Sequence, residues 1–186
     1  MMQAGRSDSA RHPRCRDVAK AAVASGAVFT ALLWAGYALG IRVNLSPSLP
    51  LGLYEVDASV ATGLVEFCPA EPFGSLANAR GYRRAGVCAD GGSPLLKPVV
   101  ARLGDAVTMS PDGVRVNGQS LPNSAPRNRD SAGRPLTPWP FGTYVVKAGT
   151  LWVLSSYHPR SFDSRYFGPI AESAVRHRLR PLLVVK

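Results

Sequence analysis

The sequence predicts a mainly β fold: an antiparallel β domain that follows one N-terminal transmembrane helix. Three observations carry this. Residues 21–41 form an uncharged apolar run. Beyond them, strand-length apolar stretches alternate with glycine and proline turns. The 18 glycines and 16 prolines are too many for a helical bundle. The chain has 186 residues, 46% of them hydrophobic, so residues 42–186 make a single domain able to bury a core.

Residues 1–20 are a basic tail. Arg6, Arg11, Arg14, Arg16 and Lys20 outweigh Asp8 and Asp17, which places this end in the cytoplasm by the positive-inside rule. Residues 21–41, AAVASGAVFTALLWAGYALGI, extend about 31 Å as a helix, enough for a hydrocarbon core of roughly 30 Å. Trp34 and Tyr37 lie towards the outer end, where aromatic side chains favour the interface. Gly36-Tyr37-Ala38 offers the small residues of a signal-peptide cleavage site, but the run is long for that role, and an uncleaved anchor is expected. Either way, residues 42–186 are exported.

Ser46-Pro47-Ser48-Leu49-Pro50 is a proline turn that opens a strand over 51–56. Residues 66–93, with Pro69, Pro72 and five glycines, read as an irregular loop excursion. Cys68 and Cys88 share the oxidising side, where they either pair or stay as two buried thiols; Cys15 lies across the membrane from both. A disulfide is expected, and closing that loop would add roughly 3 kcal/mol. Residues 95–103 and 106–109 read as strands joined by Gly104-Asp105. Pro111-Asp112-Gly113 turns the chain into 114–116, and Asn117-Gly118 is a hairpin signal. Residues 119–142 are proline-rich and read as a long surface loop. Short strands follow at 144–146 and 151–154, then a polar stretch over 155–169, a helix or strand over 171–178, and a closing strand at 182–185.

The formal charge of +10, including the cluster Arg176, Arg178 and Arg180, is compatible with nucleic acid on charge alone. Next to an anchor it reads as a basic domain beside anionic lipid, so no nucleic-acid partner is expected. Three cysteines and three histidines without ligand spacing argue for no metal, and without a glycine-rich phosphate loop no nucleotide cofactor is expected. His158 and His177 show no partner in the sequence.

Three segments are candidates for chemistry. Ser48 sits in a proline turn close to the anchor; its ordinary reading is a turn former. Lys97 lies among Leu95, Leu96, Pro98, Val99 and Val100; its ordinary reading is an exposed edge lysine. In a dry strand, though, a lysine amine loses its charge more readily, and a neutral amine can take the proton of a serine hydroxyl. Ser161-Phe162-Asp163-Ser164-Arg165 reads either as a polar surface turn or as a support in which Ser161 orients the amine while Asp163 and Arg165 brace the loop.

Taken in order behind an anchor, Ser-x-Ser-x-Pro-x-Gly-x-Tyr (46–54), Lys-Pro-Val-Val-Ala-x-x-Gly-Asp (97–105) and Ser-Phe-Asp-Ser-Arg-Tyr-x-Gly-Pro (161–169) resemble the type I signal peptidase superfamily of Ser-Lys proteases. The stretch 44–54, which contains the first segment, is similar more specifically to the branch of conjugative-transfer peptidases. The resemblance implies a signal-peptidase-like β domain with Ser48 as nucleophile and Lys97 as general base. It implies that the Ser46 hydroxyl and the Ser48 N–H form the oxyanion hole, that Ser161 positions the lysine, and that Asp163 and Arg165 are a structural pair. Where typical signal peptidases open the last box with Asp-Asn-Arg, this chain has Ser156-Tyr157-His158-Pro159-Arg160, as in the conjugative branch.

The expected protein is therefore a single-pass peptidase of the bacterial inner membrane with its catalytic domain in the periplasm. Its substrate is an exported precursor, a pilin-like one in that branch, with hydrolysis or ring closure as outcome and other conjugation proteins as partners. Residues 42–47 reach at most about 20 Å, which keeps the site near the bilayer. The rival readings are a general signal peptidase for secreted preproteins, a non-enzymatic anchored β domain of a secretion apparatus, and an autoproteolytic Ser-Lys repressor. The last lacks support from the first 40 residues, which offer an anchor instead of a DNA-binding domain.

Overall fold

The computed structural model describes residues 15–59 and 63–185, with side chains from residue 18 onward. Arg6, Asp8, Arg11 and Arg14 of the expected basic tail lie outside the described residues. The chain divides into two compact units, Met1–Leu39 and Gly40–Lys186.

The first unit carries helix α1, Cys15–Ala38. Its stretch Val18–Ala38 is long and apolar enough to cross a bilayer. The helix stops before the end of the apolar run because Gly40 takes φ +86°, a left-handed conformation that ends helices. Ile41, expected at the end of the anchor, instead opens strand β1, Ile41–Asn44.

The second unit is antiparallel throughout its described strand pairs. In chain order it continues with β2 (Leu51–Val56), β3 (Leu64–Phe67), α2 (Phe73–Ala79), β4 (Leu95–Ala101), β5 (Ala106–Ser110), β6 (Gly113–Val116), β7 (Gln119–Ser120), β8 (Gly142–Val145), β9 (Thr150–Val153), α3 (Ser164–Phe167), β10 (Ile170–Ala171), a 3-10 turn at Glu172–Ala174 and β11 (Val175–Val185). Among the described residues one sheet runs β1-β2-β11-β3-β4-β9-β10 and a second runs β7-β6-β5-β8. The stretch 171–178, expected as helix or strand, divides between the end of β10, the 3-10 turn and the first four residues of β11. That long strand serves two neighbours: Val175–Arg178 pairs with β3, and Leu179–Val185 with β2. The register slips between Pro181 and Leu183, where proline has no N–H to give the ladder.

The core falls into three clusters. Strand β9 divides two of them: Leu151 and Val153 face one and Trp152 the other, because alternate strand residues point to opposite faces. With both faces covered, β9 reads as continuous apolar sequence. The third cluster, Leu49, Tyr54 and Leu179, lies under the Ser48 turn.

The excursion over 66–93 is more ordered than expected. It contains the end of β3 and all of α2, whose sequence FGSLANA shows little helical periodicity; Ala77, with Phe73 and Leu76, holds it against the core. Cys68 and Cys88 form a disulfide. Buried Arg83 ties the excursion together by donating to Ser93 O, Gly74 O and Asp90. Residues 119–142 are largely irregular, as expected, apart from β7 and the first residue of β8, but they are firmly attached. Tyr82 OH donates to Asp130 Oδ2 at 2.6 Å, and Trp139 N–H donates to Arg165 O at 2.7 Å.

Candidate active site

The turn between β1 and β2 carries Ser46 and Ser48. Ser46 is exposed, while Ser48 is only 7% exposed. Their hydroxyls lie 2.9 Å apart, and the Ser48 N–H donates a long 3.4 Å bond to Ser46 Oγ. The turn closes around the carboxamide of Asn44, the last residue of β1. Asn44 Nδ2 donates to Ser46 O, Leu49 O and Pro50 O, and its Oδ1 accepts from Ser46 N–H. From the other strand, Tyr54 OH donates to Pro50 O at 2.7 Å. Backbone carbonyls in a buried turn have no ladder partner, so these side chains supply what the strands cannot.

Lys97 occupies the centre of β4, opposite Val65 of β3. It is 3% exposed, and its Nζ donates to Ser161 Oγ at 2.8 Å. Burial pushes its pKa down from 10.5 to about 8; the nearby charge of Asp163 pulls it back up in part, and that of Arg165 lowers it. In the neutral form this donation to Ser161 uses one N–H and leaves the lone pair open. Among the described residues Lys97 Nζ and Ser48 Oγ are not hydrogen-bonded to each other; each is held by its own serine partner.

Ser161, Asp163 and Arg165 sit at and before α3. Asp163 caps that short helix by accepting from Arg165 N–H. It also accepts from Arg165 Nε and Nη2, both at 2.8 Å, and both side chains are fully buried. Arg165 spends its other donors on carbonyls: Ser161 O at 3.0 Å, Asn123 O at 2.9 Å and Pro159 O at 3.2 Å. A buried guanidinium matched in this way has little unsatisfied charge. The loop 119–142 is thereby fastened to the segment that holds Ser161. Phe162 anchors the same segment through ring contacts with Tyr82, Tyr166 and Phe167.

The expected pairs Ser46 with Ser48, Lys97 with Ser161, Asp163 with Arg165, and Cys68 with Cys88 are thus each in contact. The expectation of partnerless histidines does not hold. His177 Nδ1 lies 2.7 Å from Glu66 Oε2, because β11 and β3 bring them to one register position. His158 Nδ1 accepts from Arg160 N–H within its own turn. Sequence reasoning missed Asn44, Tyr54 and Ser155 as parts of the site. Tyr54 closes the quoted motif and Asn44 stands two residues before it, so both were visible there; Ser155 carries no local signal.

A dehydrated lysine amine carried on the same β domain as a buried serine turn is the build of a peptidase of the serine type. The profile of the family described as "Signal peptidase, peptidase S26" matches residues 17–182, and the chain belongs to that family. It is 41% identical over 170 residues to a plasmid transfer protein TraF of Escherichia coli, covering 89% of this chain and 95% of that protein. It is 41% identical over 162 residues to the conjugal transfer protein TraF of Agrobacterium tumefaciens (strain 15955), covering 84% and 90% respectively. A crystal structure of a signal peptidase I from Enterococcus faecalis V583 aligns with a TM-score of 0.37 at 22% identity, covering 68% of this chain and 100% of that one.

Proposed function

We propose that the protein is a membrane-anchored endopeptidase in which Ser48 is the nucleophile and Lys97 the general base. Its substrate is an exported, membrane-proximal precursor, of pilin type in conjugative transfer. The observation that most supports this is the Lys97 amine, buried, held by Ser161 and with its pKa lowered to about 8. At pH 7 about a tenth of such an amine is neutral, against well under a thousandth of an ordinary lysine.

In this mechanism the neutral Lys97 Nζ takes the proton of Ser48 Oγ as that oxygen adds to the scissile carbonyl carbon. The Ser48 N–H and the Ser46 hydroxyl donate to the oxyanion; the long bond between them in the resting turn gives way readily to a charged acceptor. The protonated Nζ then passes its proton to the leaving nitrogen, and the C–N bond breaks to leave an ester on Ser48. Water attacks the ester as Lys97 takes its proton; the ester C–O bond then breaks, Lys97 returns that proton to Ser48 Oγ, and the carboxylate product leaves with Ser48 restored. An amine of the substrate in place of water closes a ring instead. The names of the conjugal transfer relatives favour a conjugation substrate over general preproteins. The anchor and basic tail, by the positive-inside rule, favour a catalytic domain on the periplasmic side of the inner membrane.

The test is co-expression in membranes with pilin precursors and with secretory preproteins, read by intact mass. Ser48→Ala and Lys97→Ala are expected to stay folded and inserted, and each to abolish processing. Cleavage retained in either variant would sink the assignment. A product lighter by one further water marks ring closure.

A further inference from the structure

Ser155 lies just past β9 and is fully buried. Its hydroxyl donates to the carbonyl of Ser48, a residue 107 positions away, and accepts from Tyr157 N–H at 3.2 Å. Its own N–H donates to Asp163 Oδ2 at 3.1 Å. From Asp163 the connection runs through Arg165 to the Ser161 carbonyl, and Ser161 Oγ receives the Lys97 amine. One residue earlier, Leu154 N–H donates to the carbonyl of Pro98, the residue next to Lys97.

The geometry points to Ser155 as a positioning residue that sets the Ser48 turn against the lysine-bearing strand, a role that rests on the Ser48–Lys97 reading above. Asn44 and Tyr54 shape the turn internally, from β1 and β2. The Ser155 hydroxyl, by contrast, ties the turn to the part of the fold that holds the base. Held at its carbonyl by Ser155 and at its N–H by Ser46 Oγ, Ser48 has its backbone restrained on both sides of Cα and therefore the direction of its Cα–Cβ bond; what remains free is one side-chain torsion. A nucleophile displaced by about 1 Å loses on the order of 100-fold in rate. Because other groups also hold the turn, removing the Ser155 hydroxyl is expected to shift it and leave the domain folded.

The experiment places a thiol at position 48 in the full-length protein and reads how close the lysine is, with no substrate needed. In the Ser48→Cys protein, the rate of iodoacetamide alkylation at residue 48 is followed against pH by peptide mass. An adjacent ammonium lowers the apparent pKa of a thiol. The background is compared with the same protein carrying Lys97→Met or Ser155→Ala. Lys97→Met is expected to raise the apparent thiol pKa by about one pH unit or more, and Ser155→Ala to raise it by a large part of that amount, with near-UV circular dichroism unchanged. If Lys97→Met raises it and Ser155→Ala leaves it in place, the role of Ser155 is overturned while the dyad stands. If neither changes it, the dyad reading falls and takes this inference with it. If Ser155→Ala gives no folded protein, the hydroxyl serves the fold and the positioning role is overturned. In processing assays with Ser48 intact, Ser155→Ala is expected to lower kcat by about tenfold to a hundredfold with KM within twofold; a change confined to KM would overturn the role.

Discussion

Lys97 is held at some cost. A pKa lowered from 10.5 to about 8 means that the unfolded chain binds the proton more tightly than the folded one. Stability from this group therefore rises with pH between about 8 and 10.5, and the full penalty is present below about 8. Its size at neutral pH is roughly 3 kcal/mol. Lys97→Met removes the penalty but leaves the Ser161 hydroxyl without its partner, at about 1 kcal/mol or somewhat more. The variant is therefore expected to be inactive yet about 1–2 kcal/mol more stable than wild type at pH 7, with the gain turning into a loss of about 1 kcal/mol above pH 10.5. Denaturant melts at both pH values check this, and a destabilised Lys97→Met at pH 7 contradicts it. With Lys97 as the proposed general base, kcat/KM is expected to climb tenfold per pH unit below about 8 and level off above. A profile flat through that region would mean that the lysine is not the base.

At the scale of elements, the serine turn is only as firm as the strand beneath it. Gly52 pairs with Asn44 on one side and Val184 on the other, at φ +144°. A Cβ added there would collide with the Leu183 carbonyl, which is backbone and cannot step aside. Gly52→Ala is therefore expected to part β2 from β11, lowering stability by about 2 kcal/mol or more and activity further, because the turn loses its footing. A Tm equal to wild type would show that the strands adapt. This glycine was legible in the motif, as were both candidate catalytic residues and the Asp163–Arg165 pair, since chemistry restricts the residue types at those positions. The strands over 51–56, 95–101 and 106–116 were legible from β-branched runs and turns. What escaped has no local cause: α2 owes its helix to packing of Phe73, Leu76 and Ala77, β1 to pairing with β2, and Ser155 to a contact across 107 positions. The irregular character of 119–142 was readable, but its fastening to Tyr82 and Arg165 was not.

For the whole molecule, the division at residues 39 and 40 separates a helix suited to a membrane from the β domain. Strand β1 begins at Ile41, and the three core clusters, the disulfide and every candidate site residue lie beyond that point. Deleting residues 1–39 is therefore expected to leave a folded, disulfide-bonded domain that no longer sediments with membranes. Its kcat/KM on a soluble peptide spanning the cleavage segment is expected to match the full-length protein within about threefold, since the candidate site residues are untouched. On the membrane-embedded precursor the two should diverge. An anchor confines enzyme and substrate to one surface and raises their effective concentration, so the truncated form is expected to process that precursor at least about tenfold more slowly at equal amounts. Equal rates on both substrates would show that the helix contributes nothing to substrate encounter, and loss of both would show that it is needed to fold the domain.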